Sequence, residues 1–450
     1  MVLIMMKKIS IYFVAAAFGV AFFSPEARAQ YFDAPDIVEE STASAKDSKA
    51  LLAKEESMEK TFATDSTEGR RTVDSLLLEF YGKNRLLEFT NIQDLDSTRV
   101  HYTSAVSDTV FVQRLSGIYS YIPLTFNNTV KNYIILYSEK MPQQMGRVIG
   151  LGNYYFPIFQ ETFNRYDIPE ELRAMAVVES MLKYDAMSRV GARGIWQFMY
   201  YTAKKYGLTI NSFVDERLDP VLAVDAAARY LKDSYEVFGD WLLAIASYNC
   251  GPGNVNKAMK RSQHDDFWEI YDYLPRETRG YVPAFIGALY TLNYYKEYGI
   301  QPEEIEIPSQ IDTFHINKMM HLRQVNELAG VPMDVLKVLN PQYTHDIIPG
   351  SPEKDYVLRI PASYTGRYVS VEDSLHLHKA DTLLNPVTIK KIKDGGDGQR
   401  IAYKVKKGDY LGKIASRYHC TVAQIQKWNH LKGTNIREGQ TLYIYRGGGK

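Results

Sequence analysis

The chain has 450 residues, 53 basic and 53 acidic side chains, and an apolar fraction of 45%. At about 150 residues per domain, this length predicts about three domains. The balanced charge excludes the large positive field that gathers nucleic acid, so no nucleic-acid partner is expected. The cysteines, Cys250 and Cys420, are too few for a disulfide framework.

The N-terminus has the pattern of an export signal. Lys7 and Lys8 precede an apolar run over residues 9–23, which Ala27 and Ala29 follow in a small-x-small arrangement. The run is too short to span a bilayer comfortably. It therefore predicts a signal peptide at 1–29 and an exported protein. The alternative is an uncleaved anchor, and membrane association is expected only through such an uncleaved N-terminus.

The sequence after the predicted signal peptide divides into a polar segment and a segment with helical periodicity. Residues 30–105 are rich in polar side chains and are predicted to be a tether and lead-in. Apolar residues then recur at helical spacing from Val110 to Tyr298. We therefore predict a mainly α domain at 106–300, with its core at 160–295.

The C-terminal third contains an internal repeat. Six pairs share a constant offset of 89 positions, which indicates duplication. The pairs are Val325 and Ile414, Met333 and Val422, Leu336 and Ile425, Asn340 and Asn429, Ile347 and Ile436, and Gly350 and Gly439. Each copy is predicted to fold as strand, helix, helix, strand, with the first at 314–361, a linker at 362–400 and the second at 401–446.

The second copy resembles a LysM module, a small βααβ (α+β) domain that binds N-acetylglucosamine-containing glycans. The resemblance includes Gly408-Asp409, Ile414-Ala415, Trp428-Asn429 and Gly439-Gln440. It implies glycan binding by Gly408, Asp409, Tyr410 and Leu411. Two positions flanking the glycan-facing loops depart from the family: Tyr410 replaces the usual Thr and Glu438 the usual Pro. The first copy has Met319-Met320 instead of Gly408-Asp409 and is expected to be degenerate; a spacer role for both copies stays open.

Glu179 is the acid that the helical pattern singles out. Ile168, Leu172, Met175 and Leu182 lie on the same face of the predicted helix. Burial raises the pKa of a carboxyl, which then keeps its proton near neutrality, as a general acid requires. A structural ion pair with an arginine is an equally good explanation at this point.

Two further stretches point to a ligand site. Gly191 and Gly194 allow a close backbone approach, and residues 196–199 are expected to offer aromatic stacking surface and an amide. The segment from Ala246 to Asn254 ends a predicted helix in a Gly/Pro loop. This helix end is expected to present Tyr248 and Asn249 at the mouth of the loop.

Together these stretches resemble the soluble lytic transglycosylase (SLT) domain, family 23 of the glycoside hydrolases, which has a lysozyme-like helical fold. The matching segments are VES (178–180), Ser188, GARGIWQFM (191–199), TAKKYGL (202–208), ASYNCGPGNV (246–255) and LPRETRGYV (274–282). Tyr200 departs from the pattern, because the family often has Pro there.

The resemblance implies a role for each site residue. Glu179 is the single acid/base that cleaves the bond between N-acetylmuramic acid and N-acetylglucosamine of peptidoglycan with closure of a 1,6-anhydro ring. The implied sugar-holding residues are Ser188, Gln197, Tyr248 and Asn249, and Glu277 and Tyr281 border the same cleft. The resemblance implies no metal and no cofactor, and it places the protein in the periplasm or cell envelope of a bacterium. Protein partners are unknown.

Other functions are weighed against this one. A hydrolytic muramidase needs a second carboxylate, such as Glu277 or Asp185, and a non-catalytic peptidoglycan-binding protein needs none. The nine histidines are scattered without a His-Glu-x-x-His helix, so metal catalysis is not expected. Cys250 has no nearby histidine stretch, which disfavours a cysteine peptidase.

Overall fold

The computed structural model describes residues 101–188, 191–308, 310–394, 400–418 and 420–445. The predicted signal peptide (1–29) and nearly all of the predicted tether (30–105) lie outside these residues. In the described part, no helix combines the length and the apolar character that a membrane crossing requires.

Residues 101–308 form a helical domain, in agreement with the predicted mainly α fold. Its helices are α1 (Asp108–Ser116), α2 (Asn128–Ile135), α3 (Pro142–Tyr166), α4 (Arg173–Ser180), α5 (Tyr200–Lys205), α6 (Pro220–Phe238), α7 (Trp241–Cys250), α8 (Pro252–Ser262), α9 (Phe267–Ile270) and α10 (Arg276–Tyr294). A π-helical turn, Leu136–Lys140, follows α2, and a 3₁₀ turn, Glu170–Leu172, precedes α4.

Local sequence signals fix the ends of the helices. Asp219 caps α6 by accepting hydrogen bonds from two backbone N–H groups, and Pro220 occupies the first turn, where its missing N–H costs nothing. Gly239 ends α6 in the left-handed region, at φ 68°. Asp240 then caps α7 through the backbone N–H of Leu243, so two helices join within two residues.

Helix α10 runs through the centre of the helical domain. It packs against α2, α4 and α7, and most of its residues are buried. Gly287 permits the contact with α2, because a Cβ there would lie 2.8 Å from the backbone carbonyl carbon of Tyr133. This packing sets the first turns of α10 beside the end of α4.

The first repeat, residues 311–361, forms two small antiparallel sheets around two helices. Strand β1 pairs with β4, and β2 pairs with β3. Its elements are β1 (Ile311–Ile316), β2 (Met319–His321), α11 (Leu322–Ala329), α12 (Met333–Leu339), β3 (Ile347–Pro349) and β4 (Tyr356–Pro361).

The second repeat, residues 400–445, has the predicted strand-helix-helix-strand order. Its elements are β5 (Arg400–Lys404), α16 (Leu411–Arg417), α17 (Val422–Trp428) and β6 (Thr441–Tyr445). Helix α16 begins 89 positions after α11, and α17 begins 89 positions after α12, so the offset read from the sequence holds in the fold. Thr421 caps α17 in a reciprocal capping box with Gln424.

Most of the segment predicted as a linker at 362–400 is helical. It contains α13 (Thr365–Leu375), α14 (Ala380–Leu383) and α15 (Pro386–Asp394). Tyr368 and Leu375 are fully buried in the apolar core of the first repeat. The polar, turn-rich composition predicted a linker here, because these two residues become buried only against the surface of the first repeat.

The first repeat is joined to the helical domain by a continuous contact. Phe213 and Val214 of the helical domain lie in the apolar core of the first repeat, and Val214 forms a backbone bridge with Tyr343. Beside it, Arg359 makes a bidentate ion pair with Asp219 at 2.8 and 3.2 Å. Asp219 is 1% exposed, so one buried carboxylate both caps α6 and anchors the repeat.

Replacing Arg359 with Met is expected to lower the free energy of unfolding by about 3–5 kcal/mol, because it leaves the Asp219 carboxylate buried without its cation. Chemical denaturation measures this loss. Lys354→Met is the control, since its amine donates to Thr209 across the same contact at an exposed position. We expect the control to lose about 1 kcal/mol or less. Equal losses in both variants would show that the ion pair has no special role.

Candidate active site

Glu179 occupies the last turn of α4, which ends abruptly behind it. Met181 and Leu182 both have left-handed backbone angles, at φ 52° and φ 61°. Such conformations are costly for residues other than glycine and concentrate at functional sites. The hydroxyl of Ser180 donates to the carbonyl of Ile195 at 2.8 Å and so ties the end of α4 to the loop that follows.

The surroundings of Glu179 raise the pKa of its carboxyl to the neutral range. Desolvation raises its pKa to about 7, and a hydrogen bond donated by the Tyr281 hydroxyl at 2.6 Å opposes that rise. Taken as a whole residue, Glu179 is half-buried. Among the described residues, no arginine or lysine forms an ion pair with it. The buried-acid interpretation is therefore favoured over the structural ion pair.

A second tyrosine lies close to the acid. The Tyr248 hydroxyl donates to the carbonyl of Trp196 at 2.8 Å, and its ring packs edge-on against Phe198 and Tyr230. Burial and the negative charge of Glu179 both raise the pKa of Tyr248, which therefore stays a neutral hydrogen-bond donor. Tyr248 and Tyr281 thus bring two neutral phenols to the neighbourhood of Glu179.

Ser188 and Gln197 hold the active-site loop, defined as residues 186–188 and 191–199, in shape. The Ser188 hydroxyl accepts a hydrogen bond from the backbone N–H of Ala192 at 3.0 Å. The Gln197 side chain donates to the carbonyl of Gly194 at 2.8 Å and to that of Ala186 at 3.3 Å. The described contacts of both side chains lie within the loop, so their proposed sugar contacts remain a prediction.

Asn249 and Glu277 lie around the start of α10. The Thr278 hydroxyl donates to the Asn249 side chain at 2.8 Å and fixes the end of α7 against α10. Glu277 is exposed in the first turn of α10, one helical turn before Tyr281. Sequence reasoning missed Thr278, although its position between Glu277 and Tyr281 in the ETRGY stretch was a usable signal.

The aromatic residues after Gly194 do not offer the expected stacking surface. Trp196 is fully buried, and its ring packs against Phe159 at 5.2 Å and Phe163 at 6.1 Å. Phe198 is 3% exposed. These rings belong to the core beneath the loop, because α3 supplies an apolar surface that no local pattern around residue 196 reveals.

The other acids of the helical domain have different settings. Asp215 is buried between Arg217 and Arg193, which together lower its pKa. Burial raises the pKa of Glu216. Its carboxylate accepts a hydrogen bond from the backbone N–H of Thr209, which gives it a structural role.

No metal site and no reactive thiol emerge in the described residues. They contain no group of three or more His, Cys, Asp or Glu side chains arranged to hold a metal ion. Burial raises the pKa of the Cys250 thiol to about 11, so the thiol is protonated at neutral pH. A protonated thiol is a poor nucleophile, which argues against a cysteine peptidase.

The four residues predicted to bind glycan in the second repeat have unequal exposure. Gly408 is exposed in a left-handed turn, and the side chain of Asp409 accepts from the backbone N–H of Lys406. Leu411 departs from the prediction, because its side chain is fully buried in the core of the repeat. Tyr410 is partly buried against the helical domain.

Comparison with known families defines the class of this architecture. Residues 156–271 match the transglycosylase SLT domain, and residues 403–444 match the LysM domain. Residues 310–377 match the LysM-like domain of lytic transglycosylase MltD. The chain therefore carries an SLT domain followed by two LysM-type domains, which confirms both resemblances found in the sequence.

Individual proteins share this similarity. The chain is 31% identical over 286 residues to membrane-bound lytic murein transglycosylase D of Escherichia coli K12, covering 62% of this chain and 61% of that protein. It thus spans about three fifths of this relative. Peptidoglycan transglycosylase gp16 of Escherichia phage T7 is 31% identical over 169 residues, 35% of this chain and 12% of that protein. The solved soluble lytic transglycosylase Slt70 of E. coli is 27% identical, covers 34% of this chain and 25% of its own, and has a TM-score of 0.28.

Replacing Tyr281 with Phe is expected to raise the pKa of Glu179 above about 7, because it removes the hydrogen bond that stabilises the carboxylate. A ¹³C NMR titration of labelled glutamate carboxyls measures the change, with Glu179→Gln providing the assignment. Tyr290→Phe is the control, since Tyr290 lies on the same helix and bonds Arg114 instead. An unchanged or lowered pKa in Tyr281→Phe would contradict this assignment.

Replacing Glu179 with Gln is expected to stabilise the fold at alkaline pH. The folded-state pKa of about 7 lies above the ordinary glutamate pKa of 4.5, so ionisation of Glu179 costs stability as pH rises through this interval. The gain is expected to be absent below pH 4.5 and to reach up to about 3 kcal/mol at pH 8. Urea denaturation across this range measures it, with exposed Glu304→Gln as control. A gain independent of pH would show that burial of the charge is not the cause.

Proposed function

We propose that the protein is a lytic transglycosylase that cleaves the β-1,4 bond between N-acetylmuramic acid and N-acetylglucosamine in peptidoglycan. The supporting observation is one half-buried glutamate, at the end of α4 and near two neutral tyrosines, whose carboxyl has a pKa of about 7. The SLT match of residues 156–271 provides the reaction class.

Glu179 carries both proton transfers in this mechanism. Its protonated carboxyl donates to the glycosidic oxygen, and the bond from that oxygen to the anomeric carbon breaks. The resulting carboxylate accepts the proton of the muramyl 6-hydroxyl, whose oxygen bonds to the anomeric carbon and closes the 1,6-anhydro ring. Water is neither consumed nor released, and Glu179 ends protonated as it began. General acid catalysis of this kind contributes about 10²–10⁴-fold.

Tyr281 serves the step in which Glu179 is ionised. Its hydroxyl already donates to the Glu179 carboxyl at 2.6 Å, and this bond strengthens when the acceptor becomes negative. Ser188, Gln197, Tyr248, Asn249 and Glu277 are proposed to hold the sugars around the scissile bond. The loop and helix contacts described above support this role, because they fix the backbone positions from which those side chains extend.

Hydrolysis of the same bond is the second candidate. Hydrolysis needs a second carboxylate that activates water. Two carboxylates that share one site raise the pKa of at least one of them. In the described residues, burial and Tyr281 account for the shift of Glu179, and no other acid contributes. Glu277 and Asp185 are both exposed. These observations favour ring closure over hydrolysis.

The two LysM-type domains are proposed to hold the enzyme on peptidoglycan. The match of residues 403–444 to the LysM domain supports glycan binding by the second repeat. Together with the predicted export signal, this match supports a location in the bacterial envelope, and we propose the periplasm. The signal residues lie outside the described part, so localisation rests on sequence and similarity.

Glu179→Gln is expected to abolish glycan cleavage, because a side-chain amide is too weak an acid to protonate the glycosidic oxygen. Mass spectrometry of digested peptidoglycan measures cleavage and identifies the product. The wild-type product is expected to be lighter by one water than a hydrolysis product and to lack a reducing end.

Glu304→Gln provides the matched control, since it makes the same chemical change at an exposed position. It is expected to cleave like the wild type. Products with a reducing end would establish the muramidase instead, and cleavage retained by Glu179→Gln would remove Glu179 from the mechanism. Binding to peptidoglycan sacculi without cleavage by the wild type would support a non-catalytic binding protein.

A further inference from the structure

The second repeat packs against the helical domain at α5, immediately after the active-site loop. Tyr200, the first residue of α5, lies against the apolar core of the second repeat. A Cβ at Gly412 would lie 2.9 Å from the Cβ of Tyr200. Only glycine at position 412 permits this approach without displacement, so the two surfaces fit closely here.

Tyr201 contacts both loops that face glycan in a LysM module. Its ring lies 5.8 Å from the ring of Tyr410, in the loop before α16. Its side chain also interacts with that of Thr434, in the loop before β6. One tyrosine of the helical domain therefore spans the edge at which the second repeat is expected to bind sugar.

Polar contacts extend this interface to the active-site loop. Arg217 donates to the carbonyls of Gly191 and Phe198 and, at 3.5 Å, to the hydroxyl of Ser416 in α16. Gln424 of the second repeat donates to Ser212 at 3.1 Å. The same arginine thus contacts the loop of Ser188 and Gln197 and the docked second repeat.

The interface also accounts for two departures from the family patterns. Tyr200 replaces a frequent proline in the SLT domain, and Tyr410 replaces the usual threonine in LysM. They belong to different domains, yet Tyr200 packs edge-on to Tyr201, whose ring lies next to Tyr410. A shared role at one interface explains why both positions carry a large aromatic side chain.

We propose that the Tyr200–Tyr201 pair is an intramolecular occupant of the glycan-binding edge of the second repeat. Glycan and the helical domain then compete for this edge, and glycan binding by the repeat requires its release from the active-site loop. The apparent glycan affinity of the intact chain is the affinity of the undocked repeat multiplied by the fraction of molecules in the undocked state. This inference rests on the glycan-binding role proposed above for the LysM domain.

The first test loosens the docking without touching the repeat. Tyr201→Ala, compared with Tyr235→Ala, is made in a Glu179→Gln background that prevents cleavage. Both tyrosines are exposed by about two fifths, and Tyr235 stacks on Trp241 instead. The probe is a pentamer of β-1,4-linked N-acetylglucosamine.

The indole NMR signal of Trp428 reports this binding selectively, because Trp428 is the single tryptophan of residues 400–445. We expect Tyr201→Ala to bind the pentamer at least tenfold more tightly than the background protein. Tyr235→Ala is expected to bind like the background protein.

The second test locks the docked state. A Tyr200→Cys and Gly412→Cys pair brings two Cβ atoms to within 2.9 Å, and an opening of about 1 Å accommodates a disulfide. The native thiols do not compete, because burial raises the pKa of Cys250 to about 11 and that of Cys420 to about 12. The oxidised variant is expected not to shift the Trp428 signal with the pentamer, and reduction is expected to restore binding.

Equal affinity in the background protein, Tyr201→Ala and the oxidised lock would overturn the competition while leaving LysM glycan binding intact. Absence of binding in every form, including Tyr201→Ala and the reduced lock, would overturn both the competition and the wall-anchoring role. The product analysis of glycan cleavage is independent of either result, so the two proposals fail separately.

Discussion

The desolvation of one carboxyl is the constraint on which the rest of this structure depends. Burial raises the pKa of Glu179 to about 7, and the hydrogen bond from the Tyr281 phenol only partly opposes this rise. A carboxyl paired with an arginine would be ionised at that pH and could not donate a proton. The abrupt end of α4 follows directly after this buried acid, with Met181 and Leu182 in left-handed conformations.

The stability of that arrangement is distributed over domain contacts. The Asp219 carboxylate caps α6 and anchors Arg359 of the first repeat, and Phe213 and Val214 complete the apolar core of that repeat. The helical domain and the first repeat therefore share structural elements. The second repeat contacts the helical domain through tyrosines, Gly412 and Ser416, and we propose that this contact exchanges with a ligand.

Sequence reasoning identified the elements better than their surroundings. The 89-residue offset read from the sequence also relates α11 to α16 and α12 to α17, because helix caps and apolar periodicity are local signals. It did not give the helices within 362–394, whose buried Tyr368 and Leu375 depend on a distant surface. Trp196 was predicted to offer a stacking surface, because only the fold shows that side chains of α3 cover its ring.

The sequence by itself determined that Glu179 lies on an apolar helix face, that Tyr281 follows in the ETRGY stretch, and that two repeats come after the helical domain. Only the tertiary structure decided that the Tyr281 hydroxyl meets the Glu179 carboxyl and that Tyr201 covers the edge of the second repeat. The physical reason is distance along the chain. Helical periodicity records which way a side chain faces, whereas a hydrogen bond between residues 102 positions apart exists only after helices pack.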